Sequence, residues 1–308
     1  MDKIDNSNIS KHLGQKSDYK STYDPNLLVR EPRQNNRTYL DIEPENLPFL
    51  GYDVWNGYEV SALTNTGKPV SAIAKVVYPC TSEFIVESKS MKLYWNSFNM
   101  THLGETSHDV VEKIERIASR DLSELLKTDV QVKLFGANQV PELPQCEMIY
   151  HGSGKNSLIN LEDNCPDDLQ FDVYTETPTL LEPTNTINSS QIVSRFYHSS
   201  LLKSNCRVTS QPDWGDVFIY MKGNHLPTKE SLLKYIVSFR NENHFHEEIC
   251  ECIYKRLWSR FSPIELAVTC LYVRRGGWDI NPHRCSHEHL MNISLFDVNE
   301  MFVKMSRQ

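Results

Sequence analysis

The chain has 308 residues, enough for two domains or one large one, and a hydrophobic fraction of 39% allows a sizeable core. A net charge of −8 argues against a nucleic-acid backbone as partner, which needs clustered Lys and Arg, while leaving room for a small basic pocket. No run approaches the roughly 18 apolar residues of a membrane span, and the polar stretch from Met1 to Lys20 lacks the apolar centre of a secretory signal.

Residues 1 to about 45 are rich in Asn, Ser, Lys and Asp with little periodicity. They are expected to form an extended arm, with a short helix near Ile9 to Leu13, mobile or laid over a neighbouring subunit. From Gly51 the pattern changes. Tyr58, Val60 and Ala62 alternate with polar positions, Asn65-Thr66-Gly67-Lys68 breaks the run, and Val70, Ala72, Ala74 and Val76 resume it, which predicts a β-hairpin. Phe84 to Leu93 reads as a strand running into a helix start. Ser107 is placed to cap a helix with the stripe Val110, Val111, Ile114, Ile117, Leu122 and Leu125, and Val130, Val132 and Leu134 then alternate as a strand.

Residues from about 153 to 190 hold Asp, Asn, Pro and Thr clusters and read as a connection. Gly152-Ser153-Gly154-Lys155 lacks the spacing of a phosphate loop. The second half repeats the first. Val208 to Met221 is expected as a strand pair turning at Pro212 to Gly215, and Thr228 as the cap of a helix carrying Leu232, Leu233, Ile236 and Phe239. A second helix is expected from near Asn243 to Pro263, then a strand through Leu266, Val268, Cys270 and Tyr272 that ends at Arg274-Arg275-Gly276-Gly277. Two such halves predict an α+β protein with two tandem modules, each an antiparallel sheet with two helices on one face. The expected divisions are an arm over 1–45, a first module over 46–152, a connection over 153–190 and a second module over 191–308.

Four stretches hold residues suited to chemistry. In Ser204 to Asp216, Cys206 sits among polar neighbours with Asp213 seven positions on, behind Pro212. A thiol and a carboxyl brought together suit covalent catalysis with a proton donor, although a lone Cys is more often a small buried hydrophobe. Glu87-Ser88-Lys89-Ser90-Met91-Lys92 suits a ligand with hydrogen-bond donors and phosphates, or else is a solvated strand end. Phe245-His246-Glu247-Glu248 opens a helix, where a carboxylate can accept two N–H groups from a guanine-like edge, or acids simply complement the helix dipole. Arg274-Arg275-Gly276-Gly277 suits phosphate, or is a charged turn. The cluster Cys285, His287 and His289, with His283 nearby, has zinc-type ligands at an unsuitable spacing. The eight cysteines are scattered and are expected as reduced thiols in the cytoplasm.

Together these motifs, in this order over about residues 50 to 290, resemble the NADPH-dependent 7-cyano-7-deazaguanine reductases, the QueF family of nitrile reductases, in its long two-module form. The resemblance implies a tunnelling fold whose pocket lies between modules, a homodimer, and the reduction of a nitrile to a primary amine with two NADPH on the route to the tRNA base queuosine. It also implies catalysis by Cys206 and Asp213, with Cys206 forming a thioimidate. Val86, Glu87, Ser88, His246 and Glu247 would bind the deazaguanine, Ser88, Lys89, Arg275 and Gly276 would contact NADPH, and no metal, nucleic acid or membrane would be needed. Two other readings stay open: a zinc-dependent pterin cyclohydrolase or synthase of the same fold, and a purine-binding module without catalysis.

Overall fold

The computed structural model describes residues 20–136, 158–163, 169–184, 191–291, 293–299 and 301. The expected helix near Ile9, the glycine run at 152–155, Cys146 and Cys165 lie outside them. In chain order the elements are β1 (Arg30–Pro32), α1 (Gln34–Tyr39), β2 (Leu50–Thr64), β3 (Pro69–Pro79), β4 (Phe84–Val86), α2 (Ser88–Ser97), β5 (His102–Gly104), α3 (Ser107–Leu126), β6 (Gln131–Gly136) and β7 (Leu158–Asn160). There follow β8 (Val193–Asn205), β9 (Pro212–Gly223), α4 (Lys229–Ser238), α5 (His246–Phe261), β10 (Glu265–Tyr272), β11 (Trp278–Cys285) and α6 (Ile293–Phe296).

Among the described residues the main sheet has the order β6-β3-β2-β11-β10-β9-β8-β7, with β5 set beside β2. Three antiparallel hairpins make up most of it: β2–β3, β8–β9 and β10–β11. β11 then pairs antiparallel with β2, Ile280 opposite Trp55 and Asp279 opposite Asn56. The two expected sheets are therefore one continuous sheet, and the seam between the halves is a full strand pair.

The longer helices, α2 to α5, lie on one face. α3 starts one residue earlier than a Ser107 cap would give. Thr106 is its N-cap, with Thr106 Oγ1 accepting from the Asp109 N–H at 3.1 Å and the Asp109 carboxylate accepting from the Thr106 N–H at 2.9 Å. Its buried stripe, Val110, Ile114, Ala118, Leu122 and Leu126, recurs every four residues and meets Ala74 and Val76 of β3 in one core. In the second half Thr228 caps α4 as expected, accepting from the Ser231 N–H at 3.1 Å. Leu232, Ile236, Ile249, Ile253 and Leu257 then bury against Val217, Ile219 and Val268. Each such aliphatic side chain contributes about 1.5–3 kcal/mol of burial. The other face of the sheet carries a smaller cluster of Val54, Val77, Phe218 and Leu271, covered by Leu295, with Phe296 stacked on Tyr52 at 4.7 Å.

The arm takes a different form from the expected one over its described part. β1 pairs with β4, Arg30 opposite Val86, and α1 brings Arg33 and Arg37 into the interior. There, Arg37 Nη2 lies 2.8 Å and Arg284 Nη2 3.0 Å from Glu251 Oε1, and Arg284 Nη1 lies 2.8 Å from Asp53 Oδ1. Arg33 also pairs with Asp53. Five buried charged side chains thus tie the arm, β2, α5 and β11 together. A polar, aperiodic sequence hid this, because the segment's anchoring is ionic.

Candidate active site

The site forms where the start of α5, the start of α2 and two hairpin turns converge. After β8 the chain turns through Cys206 to Gln211. The Cys206 N–H donates to the Gln211 carbonyl at 2.8 Å, and the Cys206 carbonyl accepts from the Ser210 N–H at 2.9 Å. Ser210 sits at φ 54°, the left-handed conformation that closes the turn. Pro212 to Gly215 is therefore the first part of β9, and the turn lies in the residues before it. Asp213, second in β9, stands opposite Ser204 in the register.

Cys206 and Asp213 line one cavity, together with Val86, Ser88, His246, Glu247 and Arg275. Both halves of the chain contribute. Trp55, His244, Phe245 and Ile280 complete the lining. Trp55 and Ile280 face each other across the β2–β11 seam, so their place in the site becomes legible only once that strand pair is known.

Glu87 is set differently. It is the N-cap of α2, its carboxylate accepting from the Lys89 N–H at 2.9 Å and the Ser90 N–H at 2.7 Å, and it is not among the residues that line the cavity. That capping aims Ser88 at the cavity. Lys89 and Gly276 lie outside the lining too. Gly276 is exposed, at φ 59°, in the turn between β10 and β11, and a Cβ there would come within 3.1 Å of the Lys92 Cδ. An open glycine turn beside Lys92 and Arg275, with Lys89 half-buried on α2, fits a phosphate-bearing cofactor at the cavity mouth.

The charges follow from these positions. Burial works against a Cys206 thiolate, but hydrogen bonds from Thr209, Val208 and Arg275 outweigh it and hold the thiol below its usual range. Burial likewise opposes the Asp213 carboxylate. His246, with Nε2 3.3 Å from Asp213 Oδ2, Arg275, with Nη1 3.0 Å from Oδ1, and the Lys92 charge more than compensate, so Asp213 titrates below the ordinary carboxylate range. The His246 ring stacks on Tyr272 at 3.8 Å, which fixes its plane. Burial and the neighbouring Arg275 push Lys92 down to about 8. His244 goes the other way. Burial disfavours its charge, but Glu242 and Glu248 raise it to about 9. Glu248 is a structural acid: its Oε2 accepts from the Phe245 N–H at 3.0 Å and its Oε1 pairs with Arg207 at 2.9 Å. Among the described residues, Cys285, His287 and His289 form no group of three or more side chains arranged to hold a metal.

Two family descriptions match the chain. One, "Nitrile reductase, 7-cyano-7-deazaguanine-reductase N-term", covers residues 19–134, and the other, "QueF-like protein", covers residues 212–290. The first takes in Val86 to Lys89, the second Asp213, His246, Glu247, Arg275 and Gly276, and Cys206 lies between them. A protein of Colwellia psychrerythraea named NADPH-dependent 7-cyano-7-deazaguanine reductase is 42% identical over 275 residues, 89% of this chain and 91% of its own. Proteins of the same name from Acidovorax ebreus and Legionella pneumophila are 42% and 40% identical, over 91% and 88% of this chain and 94% and 88% of their own. The chain belongs to the NADPH-dependent 7-cyano-7-deazaguanine reductase family. The α+β architecture expected from the resemblance is the one found. A solved archaeosine synthase QueF-Like, in its apo form, aligns with 32% of this chain and 98% of its own at 17% identity and a TM-score of 0.28.

Proposed function

We propose that this protein reduces 7-cyano-7-deazaguanine to 7-aminomethyl-7-deazaguanine with NADPH, through a thioimidate on Cys206, as a step towards queuosine in tRNA. The observation that carries this reading is the opening of Cys206 and Asp213 into one cavity, with the Cys206 thiol held below its usual range.

The chemistry follows from these groups. The Cys206 sulfur adds to the nitrile carbon, one C≡N π bond becomes an S–C bond and an N–H bond, and the proton count must close. The thiol loses one proton and the nitrile nitrogen gains one. Asp213, held ionised by His246 and Arg275, is set to take the first and deliver the second, so it begins as base and acts as acid. NADPH, when bound, would supply one hydride to the thioimidate carbon and a second molecule another to the imine carbon, each hydride matched by one proton taken up from solvent, so that two NADPH and two protons are consumed per amine. Between the two, the Cys206 thiolate leaves, stabilised by the hydrogen bonds of Thr209 and Val208. Glu247 and the Ser88 side hold the deazaguanine, and Lys89, Arg275 and Gly276 hold cofactor phosphates. The same reading has the chain act as a homodimer. Among the described residues β6 pairs with β3 alone and ends the sheet, an edge that a second copy can extend.

Incubation with the nitrile and NADPH tests this. The expected result is two NADPH oxidised per primary amine formed, with Cys206→Ala inactive. Recovery of unchanged nitrile, or of amine from Cys206→Ala, contradicts it.

A further inference from the structure

Glu247 is 2% exposed, and its Oε1 is buried with no hydrogen-bond partner. Its own backbone N–H serves the carboxyl. Behind it stands the fully buried Asp53 of β2, a second negative charge. Two guanidinium groups are near, but their donors are committed elsewhere. Arg33 donates to Asp53 and Ser82, and Arg284 to Asp53, to Glu251 and to the carbonyls of Tyr52 and His283. Tyr78 of β3 and Tyr272 of β10 complete the charged and titratable surroundings from the sheet, with His246 beside it on α5. A carboxylate with an unserved oxygen in such a place is costly, and the carboxylic acid is not.

Resting on the proposed function, we propose that the Glu247 carboxyl carries a proton before ligand arrives and yields it to solvent when a guanine-type edge docks, so that binding releases about one proton. Such an edge presents a ring N–H and an exocyclic amino group, two donors that an ionised carboxylate accepts and a carboxylic acid cannot both match. Burial, and then Asp53, push the Glu247 carboxyl up to about 8, against the smaller opposing pull of Arg33 and Arg284. That pull gives the ionised form its support once the ligand's N–H groups serve both oxygens. Arg33, Arg37 and Arg284 outnumber Asp53 and Glu251 in the buried cluster behind the pocket, so a third anion there is balanced. Glu247 would therefore be both the recognition group for the base and the group that makes recognition depend on pH.

Titration calorimetry of Cys206→Ala with 7-cyano-7-deazaguanine tests this without the covalent step. At pH 7 the apparent enthalpy should differ between phosphate and Tris by the difference in their ionisation enthalpies times about one proton. The Kd should fall roughly tenfold from pH 6 to pH 7 and level off above about pH 8. Glu247→Gln in the same background should remove the buffer dependence. Binding with equal heats in the two buffers, or proton release that persists in Glu247→Gln, overturns the inference and leaves the proposed function standing. No binding at any pH overturns both.

Discussion

Arg275 Nη1 lies 3.0 Å from Asp213 Oδ1, so the glycine turn between β10 and β11 is held to the first residues of β9 by a charge pair at the cavity. The same guanidinium donates to the Cys206 sulfur. One side chain therefore steadies the anionic form of both proposed catalytic groups. Arg275→Ala should raise the titration midpoints of Cys206 and Asp213 together. Measured as the pH dependence of thiol alkylation by iodoacetamide, the midpoint should move up and the rate at pH 7 should fall several-fold. An unchanged profile would remove Arg275 from the account.

Asp213→Asn keeps the shape of the side chain and removes its proton traffic. Nitrile binding should stay within a few-fold of the parent, while the rate of adduct formation falls by about 10²–10⁴, the usual contribution of a positioned acid or base. Stopped-flow absorbance at the thioimidate band reads the rate directly. Equal loss of binding and rate would mean that Asp213 holds the ligand and does not move the proton.

The buried charge cluster predicts the acid limit of stability. Burial opposes the Glu251 carboxylate, but Arg284, Arg37 and Arg33 overcome it and lower Glu251 to about 2 from an ordinary 4.5. Because the folded value is the lower one, this stabilisation is complete above about 4.5 and is lost as pH falls towards about 2. Glu251→Gln leaves three buried arginines facing one acid and should cost about 3–5 kcal/mol at neutral pH. Urea unfolding of parent and variant between pH 3 and pH 7 checks it: their midpoints should converge as the pH falls.

The seam between the halves makes a steric prediction. A Cβ on Gly57 would lie 2.3 Å from the Trp278 indole, which itself packs 5.3 Å from Trp95 and 6.5 Å from Trp55. Gly57→Ala must push Trp278, and with it β11, away from β2. A loss of about 1–3 kcal/mol in thermal or urea unfolding is expected, the usual result of overpacking a filled core. Activity should fall as well, since Trp55 lines the cavity.

The sequence made the local periodic elements and the charged motifs legible, and left the long-range pairings hidden. Helices α3, α4 and α5 follow from their apolar stripes, and the β2–β3 hairpin from alternation around Asn65 to Lys68. β8 was hidden because a bulge between Ser199 and Leu202 shifts the alternation. β11 was hidden because Asp279, Asn281, Pro282, His283 and Arg284 are polar or strand-breaking residues, yet all are buried in the middle of the sheet. Asn281 and Asn56 both donate to Asp279 Oδ1, at 2.6 and 2.7 Å, which satisfies polar groups that hydropathy would keep at the surface. Without β11 there is no seam, and without the seam neither Trp55 nor Ile280 can be assigned to the cavity. Glu87 shows the converse limit. Its motif was legible, but its present partners, the N–H groups of Lys89 and Ser90, depend on where α2 begins.

The covalent step at Cys206 is tested most directly by intact-mass measurement after incubation with 7-cyano-7-deazaguanine in the absence of NADPH. The account predicts one added mass equal to the whole nitrile, mapped by peptide analysis to Cys206 and absent from Cys206→Ala. An unmodified protein at saturating nitrile, or an adduct on Cys252 or Cys285, would contradict it.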